Sequence, residues 1–264
     1  ERTTFTGTNF WLLYDDPHTP ATSAPETVSV TIDAFGNVFV RLAGAFVGTS
    51  SMTTAGQVLA EELGIDPAAI SFQYADSHGG LASPGPGGSR TTVMLSGALA
   101  GAAAELRRRI FTIAEHLLEV SRTDLELENG AVVVKGSPDR TVALADIARA
   151  ANLFVLDLPP GAESGLQVSY RYEHPYATKP NADRTDLGIF YGIVAHGCHV
   201  AVVEVDPGTG VVTPLSYLAV NDSGTVMNPR LLEGQVVGGV VQGIGAALSE
   251  QYLYDADGYL LTRD

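Results

Sequence analysis

Residues Asn221 to Gln251 read NDSGTVMNPRLLEGQVVGGVVQGIGAALSEQ, and this stretch predicts a turn, a helix cap and a glycine-rich helix. Asn228 is the expected cap, because Pro229 suits the first turn of a helix, where its missing N–H costs nothing. The following apolar positions have helical spacing, yet five glycines interrupt them, at Gly234, Gly238, Gly239, Gly243 and Gly245. Since each glycine costs up to about 1 kcal/mol relative to alanine, we expect something to approach this helix closely.

Two explanations of these glycines stay open on the residues alone. One is tight packing of the helix against another helix or a sheet. The other is a polar planar ligand, because Gln235 and Gln242 are seven residues apart and therefore share one helical face. Their amides offer both donors and acceptors to such a ligand.

Length and composition limit the functions that the chain can have. With 264 residues it can bury a full core, as one large domain or two smaller ones. A net charge of −15 opposes binding to nucleic acid or an anionic membrane surface. No uninterrupted apolar run reaches the roughly 20 residues of a membrane span, so we expect none. Low charged content with 45% hydrophobic residues indicates a piece of a larger assembly, expected to be oligomeric.

The single cysteine, Cys198, excludes internal disulfides and any multi-cysteine zinc or iron–sulfur site within this chain. It is expected to be a small buried residue, and a reducing, cytoplasmic location is compatible with it. His196 and His199 lead into a predicted strand, where positions i and i+3 point to opposite faces. We therefore expect no metal site at these histidines. Near His174, the polar segment to Asp186 is either a solvated loop or a substrate funnel.

In the first half, a glycine- and proline-rich loop from Ser77 to Arg90 follows a predicted strand, Ala69 to Tyr74. It runs directly into a predicted long helix, Thr91 to Val120. Inward N–H groups and the positive end of a helix make such a loop a potential phosphate or pyrophosphate site. A glycine loop that merely turns is the alternative.

Other predicted elements place the chain in the α+β class, with two related halves built of mixed sheets, hairpins and packed helices. The turns that mark the hairpins are Gly36-Asn37, Asn129-Gly130 and Asp206-Pro207-Gly208. The predicted elements are hairpins at 28–42, 125–134 and 200–220, helices at 53–63 and 142–151, and a strand at 166–172. The predicted domains are a connecting arm at 1–27, a first half at 28–151, a linker at 152–165 and a second half at 166–264.

Three segments resemble a known family: HVAVVEVDPGTGVV, YLAVNDSGTVMNPRLLEGQVVGGVVQGIGAAL and PGGSRTTVMLSGALA. They are similar to the molybdenum-cofactor-binding large subunit of the xanthine dehydrogenase, aldehyde oxidase and aerobic carbon monoxide dehydrogenase family. The resemblance covers most of Val28 to Asp264 and implies a second cofactor-binding domain. It also implies a molybdopterin cofactor, often as its cytosine dinucleotide. Such enzymes hydroxylate an aldehyde, N-heterocycle or similar small substrate with water-derived oxygen, and pass electrons through iron–sulfur clusters to FAD on partner domains or subunits.

Several cofactor contacts are implied by this resemblance. The loop Gly88, Ser89, Arg90 and Thr91 matches the family's cofactor loop, and Gln235 matches the glutamine at the pterin. We expect backbone N–H groups of the loop to bind, with the Arg90 guanidinium facing solvent. Where the family usually has Gly-Gln-Gly, this chain has Gly48-Thr49-Ser50. Thr49 can donate one hydrogen bond but cannot span the same gap.

The resemblance also places the catalytic glutamate of the family in a glycine-rich motif beyond Asp264. No residue of this chain is therefore assigned a catalytic or metal-ligating role, and the chain alone is expected to be inactive. A competing reading is a non-catalytic structural or assembly module that keeps the fold without the cofactor. Arg107 to Arg109 are expected to form the exposed face of a helix.

Overall fold

The computed structural model describes residues 2–3, 25–44, 47–74, 76, 80–81, 83, 85–176 and 193–262. Most of the predicted connecting arm and most of the polar segment after His174 lie outside these residues. The strands are β1 (Arg2–Thr3), β2 (Glu26–Ile32), β3 (Val38–Leu42), β4 (Ile70–Tyr74), β5 (Leu125–Glu128), β6 (Ala131–Val134), β7 (Ser137–Ala143), β8 (Leu166–Tyr172), β9 (Ile193–Val194), β10 (His196–Val205) and β11 (Val212–Asp222). The helices are α1 (Ser51–Leu63), α2 (Thr91–Leu118), α3 (Leu144–Leu153) and α4 (Pro229–Leu248).

A four-stranded mixed sheet organises the first part of the chain, with strand order β4-β3-β2-β8. Strand β3 pairs parallel with β4, while β2 pairs antiparallel with both of its neighbours. Val28, Val30 and Ile32 alternate along β2 and are fully buried. Helices α1 and α2 contribute Leu59, Leu99 and other buried side chains to the same core. The α+β class with mixed sheets is confirmed.

A smaller three-stranded sheet, of order β5-β6-β7, lies beside this core. The predicted hairpin turn at Asn129 and Gly130 is present, and the N–H of Gly130 donates to the carbonyl of Gly64 at 2.7 Å. Gly64 also ends α1, as predicted. The third strand, β7, was not predicted, because its SPDRTVA sequence lacks a run of β-branched or aromatic residues.

The chain divides into two compact units, Arg2–Val194 and Ala195–Asp264, rather than at the predicted linker 152–165. Strand β8 follows that linker and pairs with β2 along its whole length, from Glu26 opposite Tyr172 to Ile32 opposite Leu166. Because β8 pairs with the edge of β2 that β3 leaves free, β8 belongs to the first unit. Pro159 and Pro160 mark a turn within the first unit.

The second unit contains the long hairpin β10–β11 and helix α4. The two strands pair from His196 opposite Asp222 to Val205 opposite Val212, with a bulge at Val202. The carboxylate of Asp206 accepts from the N–H of Gly208 at 2.7 Å in the turn, and this bond lowers the pKa of Asp206.

Helix α4 begins as predicted, since the side-chain oxygen of Asn228 accepts from the N–H of Leu231 at 3.1 Å. By length and composition, α4 is long and apolar enough to cross a membrane, with a mean hydropathy of 1.3. The expectation of no membrane span stays a prediction, because α4 meets the criterion by average hydropathy while polar residues and glycines interrupt its apolar run. A helix that is buried against other parts of a protein also meets this criterion.

Candidate functional site

The predicted cofactor loop forms a tight turn directly before α2. Gly88 and Ser89 both have left-handed backbones, with φ of 81° and 57°, and Arg90 returns to the right-handed region. The carbonyl of Arg90 accepts from the N–H of Met94 at 2.9 Å, so the helix starts at the turn itself. N–H groups before a helix N-terminus can bind an anion, and an anion site at this turn stays a prediction.

Arg90 does not face solvent, and that expectation was wrong. Its side chain is 2% exposed, and its Nη1 atom donates to Oε2 of Glu26 at 2.7 Å. The same Nη1 atom donates to the carbonyl of Gly85 at 3.1 Å. A buried carboxylate therefore neutralises the charge of Arg90 inside the fold.

Glu26 occupies the first inward-facing position of β2, in register with Val28 and Val30. Burial raises the pKa of the Glu26 carboxyl, although the charge and hydrogen bond of Arg90 and a hydrogen bond from Ser83 oppose the rise. The hydroxyl of Ser83 donates to Oε2 of Glu26 at 3.0 Å. Burying a charge is costly unless it is paired, so the position of Arg90 follows from that of Glu26.

Neither Glu26 nor Ser83 was identified from the sequence. The sequence contains a pattern that could have identified Glu26. It is two residues before Val28, so it shares the core-facing side of the strand with Val28, Val30 and Ile32. No comparable signal marks Ser83, whose role depends on the folded path of the loop.

A small cavity of about 20 Å³ lies where the starts of α1 and α2 meet. It is lined by residues that include Ser51 of α1, Thr91 of α2, and the Glu26 and Ser83 pair. A space of this size holds about one water molecule. This cavity is therefore too small for a pterin or a phosphate.

The outer surface of the loop is open. Among the described residues, no heavy atom lies within 4 Å of a Cβ built at Gly85 or Gly87. Neither glycine is therefore required by packing in the described part of the chain. Both leave room for a group that approaches the backbone from outside.

Thr49 precedes α1 and is exposed, with its hydroxyl 3.0 Å from the hydroxyl of Ser51. Ser51 and Thr91 line the same small cavity, so the structure brings the segment of Thr49 and the loop to one end of the first unit. A contact between Thr49 and a cofactor stays a prediction.

Gln235 belongs to the second unit, on helix α4. Gln235, Gly239 and Gln242 follow i, i+4, i+7 spacing and lie on one exposed face, while Val236 and Val240 are half-buried on another. In the described chain, a Cβ at Gly234, Gly238, Gly239 or Gly243 would meet nothing within 4 Å. Packing within these residues does not explain the glycines, which favours approach by a ligand or by further protein.

Other residues considered from the sequence have ordinary structural roles. Cys198 is exposed, so its expected burial was wrong, because it lies on an open strand of the hairpin. Nδ1 of His199 lies 3.1 Å from the hydroxyl of Tyr217. Within the described residues, no group of three or more His, Cys, Asp or Glu side chains could hold a metal ion.

Arg107, Arg108 and Arg109 of α2, which were expected to form an exposed face, make contacts with other segments of the chain. Arg109 is 17% exposed and pairs with Glu163 at 2.6 Å, and Arg108 also contacts Glu163. Nη1 of Arg107 donates to the carbonyl of Glu62 at 2.8 Å. These contacts connect α2 to the segment before β8 and to the end of α1.

A family model described as the molybdopterin cofactor-binding domain matches residues 4–264, nearly the whole chain. This chain belongs to the molybdopterin cofactor-binding domain family. The α+β fold described above is therefore that of a molybdopterin cofactor-binding domain.

Named relatives of this domain are parts of larger proteins. The nicotine 6-hydroxylase large subunit of Paenarthrobacter nicotinovorans is 34% identical over 237 residues, which are 90% of this chain and 27% of that protein. The carbon monoxide dehydrogenase large chain of Hydrogenophaga pseudoflava is 31% identical over 89% of this chain and 27% of its own length. The crystal structure of quinoline 2-oxidoreductase from Pseudomonas putida 86 matches with a TM-score of 0.80 and 31% identity, over 99% of this chain and 31% of that chain. The chain thus spans about a quarter of the curated relatives' length.

Proposed function

We propose that this domain holds one side of a molybdopterin cofactor in the large subunit of a molybdenum hydroxylase. The proposed cofactor is the cytosine dinucleotide form. Its proposed contacts are the loop Gly88 to Thr91 in the first unit and, separately, Gln235 on α4 in the second unit. When bound, the molybdenum cofactor supplies the two-electron oxidation of substrate with oxygen derived from water. Iron–sulfur clusters and FAD on partner domains or subunits would then carry the electrons away, in the cytoplasm.

The observation that carries this proposal is the open, backbone-lined surface of the loop before α2. Gly85 and Gly87 leave room for close approach, and the chain turns through left-handed backbone at Gly88 and Ser89 directly before α2. Arg90 cannot supply the binding charge, because it is buried against Glu26. Binding of a phosphate would therefore depend on N–H groups and on the positive end of α2.

Helix α4 supports the same proposal independently. Its exposed amides at Gln235 and Gln242 can each donate and accept, which matches the mixed polar edge of a pterin. Gly239 lies between them on that face and permits a planar group to approach the helix backbone. The residues of this chain would bind and orient the cofactor, and none of them is assigned a catalytic role.

The substrate proposed is a small N-heterocycle, an aldehyde or a similar compound. Two relatives are named for the oxidation of nitrogen heterocycles, nicotine 6-hydroxylase and quinoline 2-oxidoreductase, and their names favour the N-heterocycle. Large-subunit and large-chain names among the relatives favour a multi-subunit enzyme.

The deciding experiment is elemental and pterin analysis of the protein produced at its full natural length in a host that makes the cofactor. We expect molybdenum and a pterin released with cytidine monophosphate, each in a one-to-one ratio with the subunit. Dye-linked oxidation of N-heterocycles and aldehydes would then identify the substrate class. Correctly folded protein without molybdenum or pterin would favour the structural or assembly module instead.

A further inference from the structure

We propose that the buried pair of Glu26 and Arg90 is a positioning device that fixes the shape of the cofactor loop before the cofactor arrives. The pair would act through the main chain of the loop, without touching the cofactor. This inference rests on the proposed role of the loop in cofactor binding.

The contacts around Glu26 form a closed cycle of hydrogen bonds. Nη1 of Arg90 donates to Oε2 of Glu26 at 2.7 Å and to the carbonyl of Gly85 at 3.1 Å. The N–H of Gly85 donates to the hydroxyl of Ser83 at 3.1 Å, and that hydroxyl donates to Oε2 of Glu26 at 3.0 Å. Ser83, Gly85 and Arg90 are thereby attached, directly or through one another, to one carboxylate on β2, an inner strand of the sheet.

The location of the carboxylate makes this attachment rigid. Glu26 is the first residue of β2 and lies opposite Tyr172 of β8, while β3 pairs with β2 from Val28 onward. The Glu26 residue is 6% exposed. Arg90 is the residue immediately before α2, so its buried side chain also ties the start of that helix to the strand. Loop, helix start and sheet thus share one buried anchor.

Net stabilisation does not explain why such a pair is present. Well-packed apolar side chains of similar volume often replace a buried ion pair without loss of stability, because desolvation offsets the attraction between the charges. Apolar side chains, however, cannot bond to the carbonyl of Gly85. The hydrogen bonds of the pair are directional, and they fix the conformation of the loop backbone. The outer surface of that backbone is open to a ligand.

The test therefore replaces the whole pair, not one member of it. Glu26→Leu with Arg90→Met in the natural-length protein removes both charges and fills a similar volume, so no lone charge is left buried. We expect thermal unfolding close to that of the wild type. Amide hydrogen exchange at Gly85, Gly87, Gly88 and Ser89, the residues of 85–89 that carry an N–H, should rise about tenfold, as expected on losing a charge-assisted hydrogen bond. Molybdenum content should fall about 10- to 100-fold, the range typical of residues that orient direct ligands.

Two further variants act as controls. Arg90→Lys keeps the positive charge and enough donors for both acceptors, so we expect it to retain most of the loop protection and molybdenum. Asp146→Leu with Arg149→Met removes an ion pair of 2.9 Å on the exposed face of α3. That pair lies outside the cycle, so neither measurement should change.

The outcomes separate this inference from the proposed function. Unchanged exchange at residues 85–89 in the double variant would overturn the positioning role. Faster exchange with full molybdenum content would also overturn it, because the cofactor would then be retained without a fixed loop. Loss of molybdenum in every folded variant, with the wild type also lacking it, would instead count against the proposed function.

Discussion

The ring of Tyr170 in β8 lies directly on the backbone of Gly101 in α2, where any Cβ would overlap the ring. The arrangement repeats one turn earlier in the helix, where Tyr172 lies on Gly97. Two residues along a strand and four along a helix cover similar distances. The spacing of the two tyrosines therefore matches the spacing of the two glycines. These contacts hold the last strand of the main sheet against its longest helix.

Gly101→Ala should therefore destabilise the first unit, although alanine is the better helix former. We expect a net loss of about 1–3 kcal/mol from overpacking, because the gain in helix propensity is at most about 1 kcal/mol. Denaturant unfolding of the variant measures the change. In a double-mutant cycle with Tyr170→Ala, the penalty for alanine at position 101 should largely disappear. An increase in stability from Gly101→Ala alone would contradict the contact.

Gly87→Ala should reduce cofactor retention without affecting folding, because the added methyl group meets no described atom of the protein and fills only the outer space. Gly88→Val should abolish retention, since the left-handed backbone at φ 81° strains any side chain there. Molybdenum content and thermal unfolding are measured together. Gly136→Ala is the control for strain, since Gly136 has φ 76° in the turn between β6 and β7. Equal molybdenum in all three variants would remove the loop from the cofactor site.

Gln235→Leu should lower cofactor occupancy while α4 still forms. A buried polar edge that loses its amide partner costs about 1–3 kcal/mol, which corresponds to roughly 10- to 100-fold weaker retention. Molybdenum content after dialysis against buffer gives the occupancy. Val237→Leu, on a different face of α4, should retain the cofactor. If both variants retain it equally, the glutamine face is not the cofactor wall.

Glu105 should stabilise the protein only above the acid range. Hydrogen bonds from Arg108, and then from Arg109, lower its pKa from 4.5 to about 2. A carboxyl with a lowered folded-state pKa stabilises the fold above its usual pKa, and this contribution is lost as pH falls from 4.5 to about 2. Because the side chain is 31% exposed, we expect about 1 kcal/mol near neutral pH and no more. Unfolding free energies of wild type and Glu105→Gln should converge over that interval, whereas Glu61→Gln on the exposed face of α1 should show no such convergence.

Features that depend on neighbouring residues could be predicted from the sequence. The cap at Asn228 and the turn at Asn129 and Gly130 are local, and each was found where its residues indicated. The end of α1 at Gly64 belongs to the same class. In each case a single residue's conformational preference decides the structure over a few positions.

Features that depend on distant pairing could not be predicted in this way. The burial of Arg90 requires Glu26, 64 positions earlier in the chain. The domain boundary was misplaced because β8 pairs with β2 across more than a hundred residues. In both cases, the sequence around one partner does not indicate the other. Family resemblance identified the loop and Gln235 as candidates, but it did not show what holds the loop in place.

In the second unit, every described side chain from 195 to 262 is exposed or only half-buried. The cooperative core, with its fully buried valines and leucines, lies in the first unit. Heat absorbed on unfolding scales with buried surface, so a calorimetric transition of this chain reports almost entirely on the first unit. We therefore expect that unfolding is not a single all-or-none process and that one melting temperature does not describe both units. The condition of α4 has to be followed with a probe placed on α4 itself.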